Sequence, residues 1–213
     1  MLDQFPASVR LFFERALSHS QLAENPAQCS SDPEWNDRSF CDVMLSSDDL
    51  AASAQRHAAA LGFHTVLDNH CDDWNYADAT QYLLNGLDGL RRGHPRCCLI
   101  SVGEVTVQLS ATPGAGGRNQ QFALACAQHL QNSDQPIVVL SAGSDGIDGN
   151  TEAAGAMADP TTFARARALG LDPDNALNEC NAYPIFTALG DTIFTGPTGN
   201  NLRDLRLLLS VEA

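Results

Sequence analysis

The chain has 213 residues, 44% of them apolar and 18% charged, enough for one large or two small domains with a real hydrophobic core. Its 26 acids outnumber 12 bases for a formal net charge of -14, and every one of those bases is an arginine. Such a balance repels nucleic acid and anionic membrane surfaces, and the absence of lysine excludes a P-loop lysine.

In chain order, "ASVRLFFERALSH" after Pro6 has helical apolar spacing, and the Pro-, Ser-, Asn- and Asp-rich stretch from Ala23 to Arg38 reads as a loop or linker. "CDVMLSS" is a short apolar run ending in Ser46 and Ser47, either of which can cap the helix "DDLAASAQRHAAALG". Gly62 stands just past that helix, and "FHTVLD" reads as a strand, completing a βαβ pattern that predicts parallel pairing. A second helix spans roughly Asp78 to Arg92. "RCCLISVG" and "VTVQLS" follow, broken at Gly103 and Glu104, as a hairpin or a bulged strand.

After a Gly-rich loop, a helix starts at about Asn119, and "PIVVLSAG" reads as a strand buried on both faces. Short helices are expected at "TTFARARALG", "DNALNECN" and "YPIFTALG", and "TIFTGPTG" and "DLRLLLS" close the chain. The pattern is that of an α/β fold with a mixed or largely parallel sheet flanked by helices.

The seven cysteines, at 29, 41, 71, 97, 98, 126 and 180, form no CxxC pair and no zinc-like spacing with histidine, so they read as reduced cytosolic thiols. No secretory leader is recognisable near Met1, and no apolar run reaches the length of a membrane span, which predicts a cytoplasmic protein. The six histidines lie outside the motifs below, so a histidine-based triad is disfavoured, and His57 and His129 read as surface or boundary residues.

Four segments carry candidate chemistry. In "SVGEVTVQ", Glu104 sits beside a glycine; the plain alternative is a solvated turn acid. In "PGAGGRNQQ", glycines permit close approach, exposed amides at a helix start can cradle an oxyanion, and Arg118 can fork onto phosphate or carboxylate. An arginine there opposes the helix dipole unless an anion sits nearby; the alternative is a flexible loop with a surface arginine. In "SAGSDGIDGNTEAAG", Asp145 and Asp148 follow a strand end, where they can hold Mg2+ with its waters or orient a hydroxyl, or simply favour tight turns. In "TGPTGNNLRDL", Thr198, Gly199, Asn200 and Asn201 offer donors in a turn with Asp204 behind them, and taken alone a structural turn is the better reading.

Together, "GGRNQ", "SAGSDGIDG", "AAGAMAD" and "TGPTGNNLRDL", in this order and spacing, resemble the C-terminal MOFRL domain of the class II glycerate 2-kinases, a family also called hydroxypyruvate reductase. The resemblance runs from about residue 97 to the C-terminus and divides the chain into 1–39, a helix and linker left from a first domain, a joining βαβ segment 40–96, and a MOFRL domain 97–213.

It implies the second domain of a two-domain kinase that moves the γ-phosphoryl of ATP, with Mg2+, to the 2-hydroxyl of D-glycerate in a cleft between domains. By resemblance, Arg118 binds the transferring phosphate or the substrate carboxylate, supported by Asn119 and the amides of Gly116 and Gly117. Asp145 and Asp148 hold Mg2+ or orient the acceptor hydroxyl. Glu104, Ser144, Gly146, Thr198, Gly199, Asn200 and Asn201 belong to the substrate- and phosphate-binding set.

The chain departs from the family pattern GGRNQE at Gln121, from GGETTV at Val102 and Val105, and at Ser144 and Asn200. No counterpart of the first domain's nucleotide loop and lysine is found, so the implied site is incomplete without a separate N-terminal domain or another copy. The alternatives to a kinase half are an NAD(P)H-dependent hydroxypyruvate reductase and a non-catalytic ligand-binding or assembly module.

Overall fold

A computed structural model describes residues 43–109 and 112–211. The expected helix over 7–19 and the linker over 23–38 lie outside the described residues, as do Cys29 and Cys41.

The first described helix, α1 (Ser47–Ala60), starts behind Ser46, whose backbone N–H donates to Asp49 Oδ2 at 2.8 Å, the reciprocal bond of a capping box. Residues 43–46, expected in a strand, have no regular structure. The chain then forms β1 (His64–Leu67), crosses through α2 (Tyr76–Gly93) and returns as β2 (Cys97–Gly103), parallel to β1. The βαβ unit is therefore built one element later than the sequence pattern suggests.

"VTVQLS" forms neither a hairpin nor a bulged strand. Glu104 N–H donates to Asp72 Oδ1 at 2.8 Å, and Thr106 exchanges main-chain bonds with Trp74 and Tyr76, so the loop before α2 captures the groups a hairpin would use. A single bridge, Asn75 to Thr106, remains.

Beyond it come α3 (Arg118–Leu130), β3 (Ile137–Gly143), β4 (Gly155–Ala158), α4 (Thr162–Ala168), α5 (Pro173–Asn178), α6 (Ala182–Leu189), β5 (Thr192–Ile193) and β6 (Asp204–Ser210). The six strands lie in the order β1-β2-β6-β3-β4-β5. The C-terminal β6 inserts antiparallel between β2 and β3, with Asp204 opposite Gly103 on one side and Gly143 on the other. The sheet is thus mixed: only β1 and β2 run parallel, and the largely parallel alternative is set aside.

Alternation on β6 sorts the layers. Leu208 joins a core made by Leu83 and Leu87 of α2, Phe122 and Cys126 of α3, and Leu99 and Val139 of the sheet. On the opposite face Leu205, Leu207 and Leu209 pack with Cys98, Ile100 and Ala58 of α1. A third cluster joins the far side of α3 to β4 and α4–α6 through Phe163, Leu177 and Phe186.

Enclosed by sheet and helices, α3 is buried at every position from Asn119 to Ala127. β3, expected to be buried on both faces, instead alternates, and Val138 is 38% exposed because α3 packs against only one side of it. Among the described residues no helix is long and apolar enough to cross a membrane.

Candidate functional site

The strand ends Gly103 and Gly143 and the start of β6 meet at one edge of the sheet, and the start of α3 points to the same place. A cleft of about 700 Å³ opens there, walled by the Gly-rich loop and the 145–150 loop and lined by Glu104, Gly116, Gly117, Arg118, Asp145 and Asp148.

The start of α3 is already capped. Its N-cap residue, Gly117, has no side chain to offer, and the buried Asp148 takes that role from across the loop. Asp148 Oδ1 accepts the Asn119 backbone N–H at 3.0 Å and its side-chain amide at 3.3 Å; Oδ2 accepts the Gln120 backbone N–H at 2.9 Å and Nε2 at 3.0 Å. Burial pushes the Asp148 carboxyl above its usual range, and the bonds from Gln120 and Asn119 offset only part of that push. Gly117 is required for the close approach, since a Cβ there would lie 2.3 Å from the Asp148 carboxylate.

The Gly-rich loop is likewise pinned by its neighbours. Ala115 N–H donates to Asn181 Oδ1 at 2.8 Å, and Gly116 N–H donates to Asn150 Oδ1 at 2.9 Å. The Gly116 amide, expected to face a ligand, is therefore occupied within the chain. Asn119, also expected to touch ligand, is buried behind the cleft and accepts from Ser141 Oγ at 2.6 Å.

Arg118 has its anions inside the protein. It donates through Nε to Asp204 Oδ2 at 2.6 Å and through Nη2 to Asp204 Oδ1 at 3.1 Å, and Nη2 lies 2.9 Å from Glu104 Oε1. The Asp204 bonds lead the interactions that raise the guanidinium's pKa. Asp204 is 1% exposed and Glu104 31%, so one partner is fixed in the sheet and the other stands at the cleft wall. Among the described residues Arg118 Nη1 has no hydrogen-bond partner, and Arg118 itself lines the cleft.

Asp145 is half-buried and on the cleft wall, with Oδ1 accepting the Ile147 N–H at 3.1 Å. The expected residues at 144, 146 and 198–201 are not among those that line the cleft; Ser144 and Thr198 instead tie the 198–202 turn to the loop that carries Asp145. Thr198 N–H donates to the Asp145 carbonyl at 3.0 Å, Thr198 Oγ1 to the Ser144 carbonyl at 2.6 Å, and Leu202 N–H to Ser144 Oγ at 2.6 Å. Gly146 packs directly against Gly196, and Gly199, Asn200 and Asn201 are exposed.

Asp204, Asn150 and Asn181 do structural work at the site that their positions in sequence did not reveal. Only Asp204, behind a turn and opening an alternating strand, carried a signal. Below it in the same strand lies Arg206, fully buried, with Nη2 3.5 Å from Ser101 Oγ and the guanidinium 5.7 Å from the Phe122 ring centre. Its Nε and Nη1 have no partner among the described residues.

The class this architecture defines is an α/β domain with a polar cleft at the carboxyl ends of two strands, built around an arginine at a helix start. Residues 97–204 match the MOFRL family model, and the chain belongs to that family. It is 46% identical over 112 residues to a putative hydroxypyruvate reductase of Agrobacterium vitis, covering 52% of this chain and 29% of the relative. It is 31% identical over 207 residues to the glycerate 2-kinase of Pyrococcus horikoshii, covering 95% of this chain and 45% of the relative. Among solved structures it is similar to the glycerate kinase of Thermotoga maritima, with TM-score 0.72 and 30% identity over 78% of this chain and 41% of that one. The chain spans less than half the length of each of these proteins.

Proposed function

We propose that this chain forms the MOFRL half of a glycerate 2-kinase, which transfers the γ-phosphoryl of ATP to the 2-hydroxyl of D-glycerate and needs a lysine-bearing first domain to complete its site. Within it, 97–213 is the MOFRL domain and 40–96 the segment joining it to that partner. The observation that carries the reading is Arg118, fixed by Asp204 at the mouth of α3 and lining a cleft of about 700 Å³. Phosphoryl transfer is mainly positioning and charge neutralisation, which a rigidly anchored guanidinium supplies.

The donor set decides where Mg2+ would fit. Asp148 spends its lone pairs on four N–H groups and does not fit a metal, whereas Asp145, on the cleft wall, has no hydrogen-bond partner at Oδ2 among the described residues. Mg2+ commonly takes one or two protein carboxylates and completes its shell with water and phosphate, so Asp145 would hold it and Asp148 would position α3. The ion would neutralise phosphate charge there.

The test supplies the first-domain half of a relative in trans and measures ATP- and Mg2+-dependent phosphorylation of D-glycerate. Arg118→Ala is expected to lower turnover by about 10²-fold or more; turnover unchanged by that substitution overturns the assignment. The reductase reading has relatives' names in its favour but no dinucleotide fingerprint, since Asn119 stands where the third glycine of GxGxxG would fall. NADH oxidation with hydroxypyruvate would restore it.

A further inference from the structure

We propose that Glu104 is a specificity-determining residue that turns bare oxyanions away from Arg118 and admits those that carry a divalent cation. The inference rests on the reading that Arg118 is the oxyanion receptor of the cleft.

The argument is one of charge. Arg118 is the only arginine or lysine lining the cleft among the described residues, against Asp73, Glu104, Asp145 and Asp148. Asp204 already neutralises it through two hydrogen bonds from a fully buried position. Glu104, 2.9 Å from Nη2, is therefore surplus to what holding the guanidinium requires, and unlike Asp204 it lines the cleft. An incoming oxyanion must displace it from Nη2 or bind Nη1 beside it. Either route brings like charges within a few ångströms, where the effective dielectric of a half-buried site makes the repulsion worth a large factor in affinity. A cation carried by the ligand turns the same carboxylate, with Asp145 of the same cleft lining, into an attractive partner.

The backbone at Glu104 is fixed independently of its side chain: its N–H donates to Asp72 Oδ1 and its carbonyl accepts from Asp73 N–H at 2.7 Å. Removing the charge thus leaves the turn in place.

The experiment measures binding of inorganic pyrophosphate to the whole chain by calorimetry at low ionic strength, with and without Mg2+. Wild type is expected to prefer the Mg2+ complex. Glu104→Gln is expected to bind metal-free pyrophosphate about tenfold more tightly than wild type and to lose most of that preference. Asp134→Asn, which removes an acid near the opposite end of β3, controls for net charge and is expected to behave as wild type. Circular dichroism checks the fold, and Glu104→Ala serves as a second variant should Glu104→Gln fold poorly.

Equal metal-free affinity in wild type and Glu104→Gln, with Arg118→Gln weaker than both, overturns the role of Glu104 and leaves the Arg118 reading standing. Binding that Arg118→Gln does not weaken, or no binding in any form, overturns the Arg118 reading itself.

Discussion

Asp148 shows how a residue type can be read correctly as important and still be given the wrong task by its local pattern. A carboxylate after a strand end suggests a metal ligand, yet here it satisfies two orphan backbone donors of α3 and two side-chain amides. Asp148→Ala should destabilise the chain by about 1–3 kcal/mol in urea unfolding, because those donors stay buried without partners. The pH dependence has a definite sign. The folded carboxyl is raised above its ordinary value of 3.8, so the folded state binds the proton more tightly than the unfolded state does. Wild-type stability relative to Asp148→Asn should therefore fall as pH rises from 3.8 through the raised folded value. Comparing urea midpoints of the two proteins at the ends of that interval checks it; a difference that grows with pH contradicts it. Arg206 makes the opposite case. A fully buried guanidinium with two unpartnered nitrogens costs more than an apolar side chain of similar length, so Arg206→Met should hold stability level or raise it by up to about 4 kcal/mol.

At the scale of elements, the helices were legible because their signals are local. The start of α3 after two glycines, and the short α4, α5 and α6, all fall where apolar spacing and cap residues place them. Strands were less legible. β6 reads as an alternating run, but its place between β2 and β3 depends on residues roughly 60 to 110 positions upstream. β4, "GAMA", carries no strand signal at all. It exists because Gly155 lets two backbones meet: a Cβ there would sit 1.9 Å from the Ser141 carbonyl oxygen. Gly155→Ala should cost about 3 kcal/mol, the upper end of overpacking penalties, with loss of hydrogen-exchange protection concentrated in β4 and β5. Loss spread evenly over the sheet would refute that account.

For the molecule as a whole, the thiols report global integrity. Burial pushes Cys98 and Cys126 up to about 12, while Cys180 is half-buried at the cleft. Among the cysteines of the described residues, an alkylating agent should label Cys180 in native protein at neutral pH and reach Cys98 and Cys126 only as the chain unfolds, as peptide mapping would show. The sequence by itself determined the α/β class, the family, the positions of the helices in the described residues and the segments that carry the cleft's residues, because periodicity, caps and ordered motifs are properties of neighbours along the chain. The tertiary structure alone decided that the sheet is mixed, that Asp148 and Asn150 occupy the Asn119 and Gly116 donors a ligand was expected to use, and that Arg118 is held by Asp204 and Glu104. Those facts depend on pairings across the chain, such as Asp148 with Asn119, Arg118 with Asp204 and Gly103 with Asp204, and strand direction and hydrogen-bond partnership at such range leave no trace in local pattern.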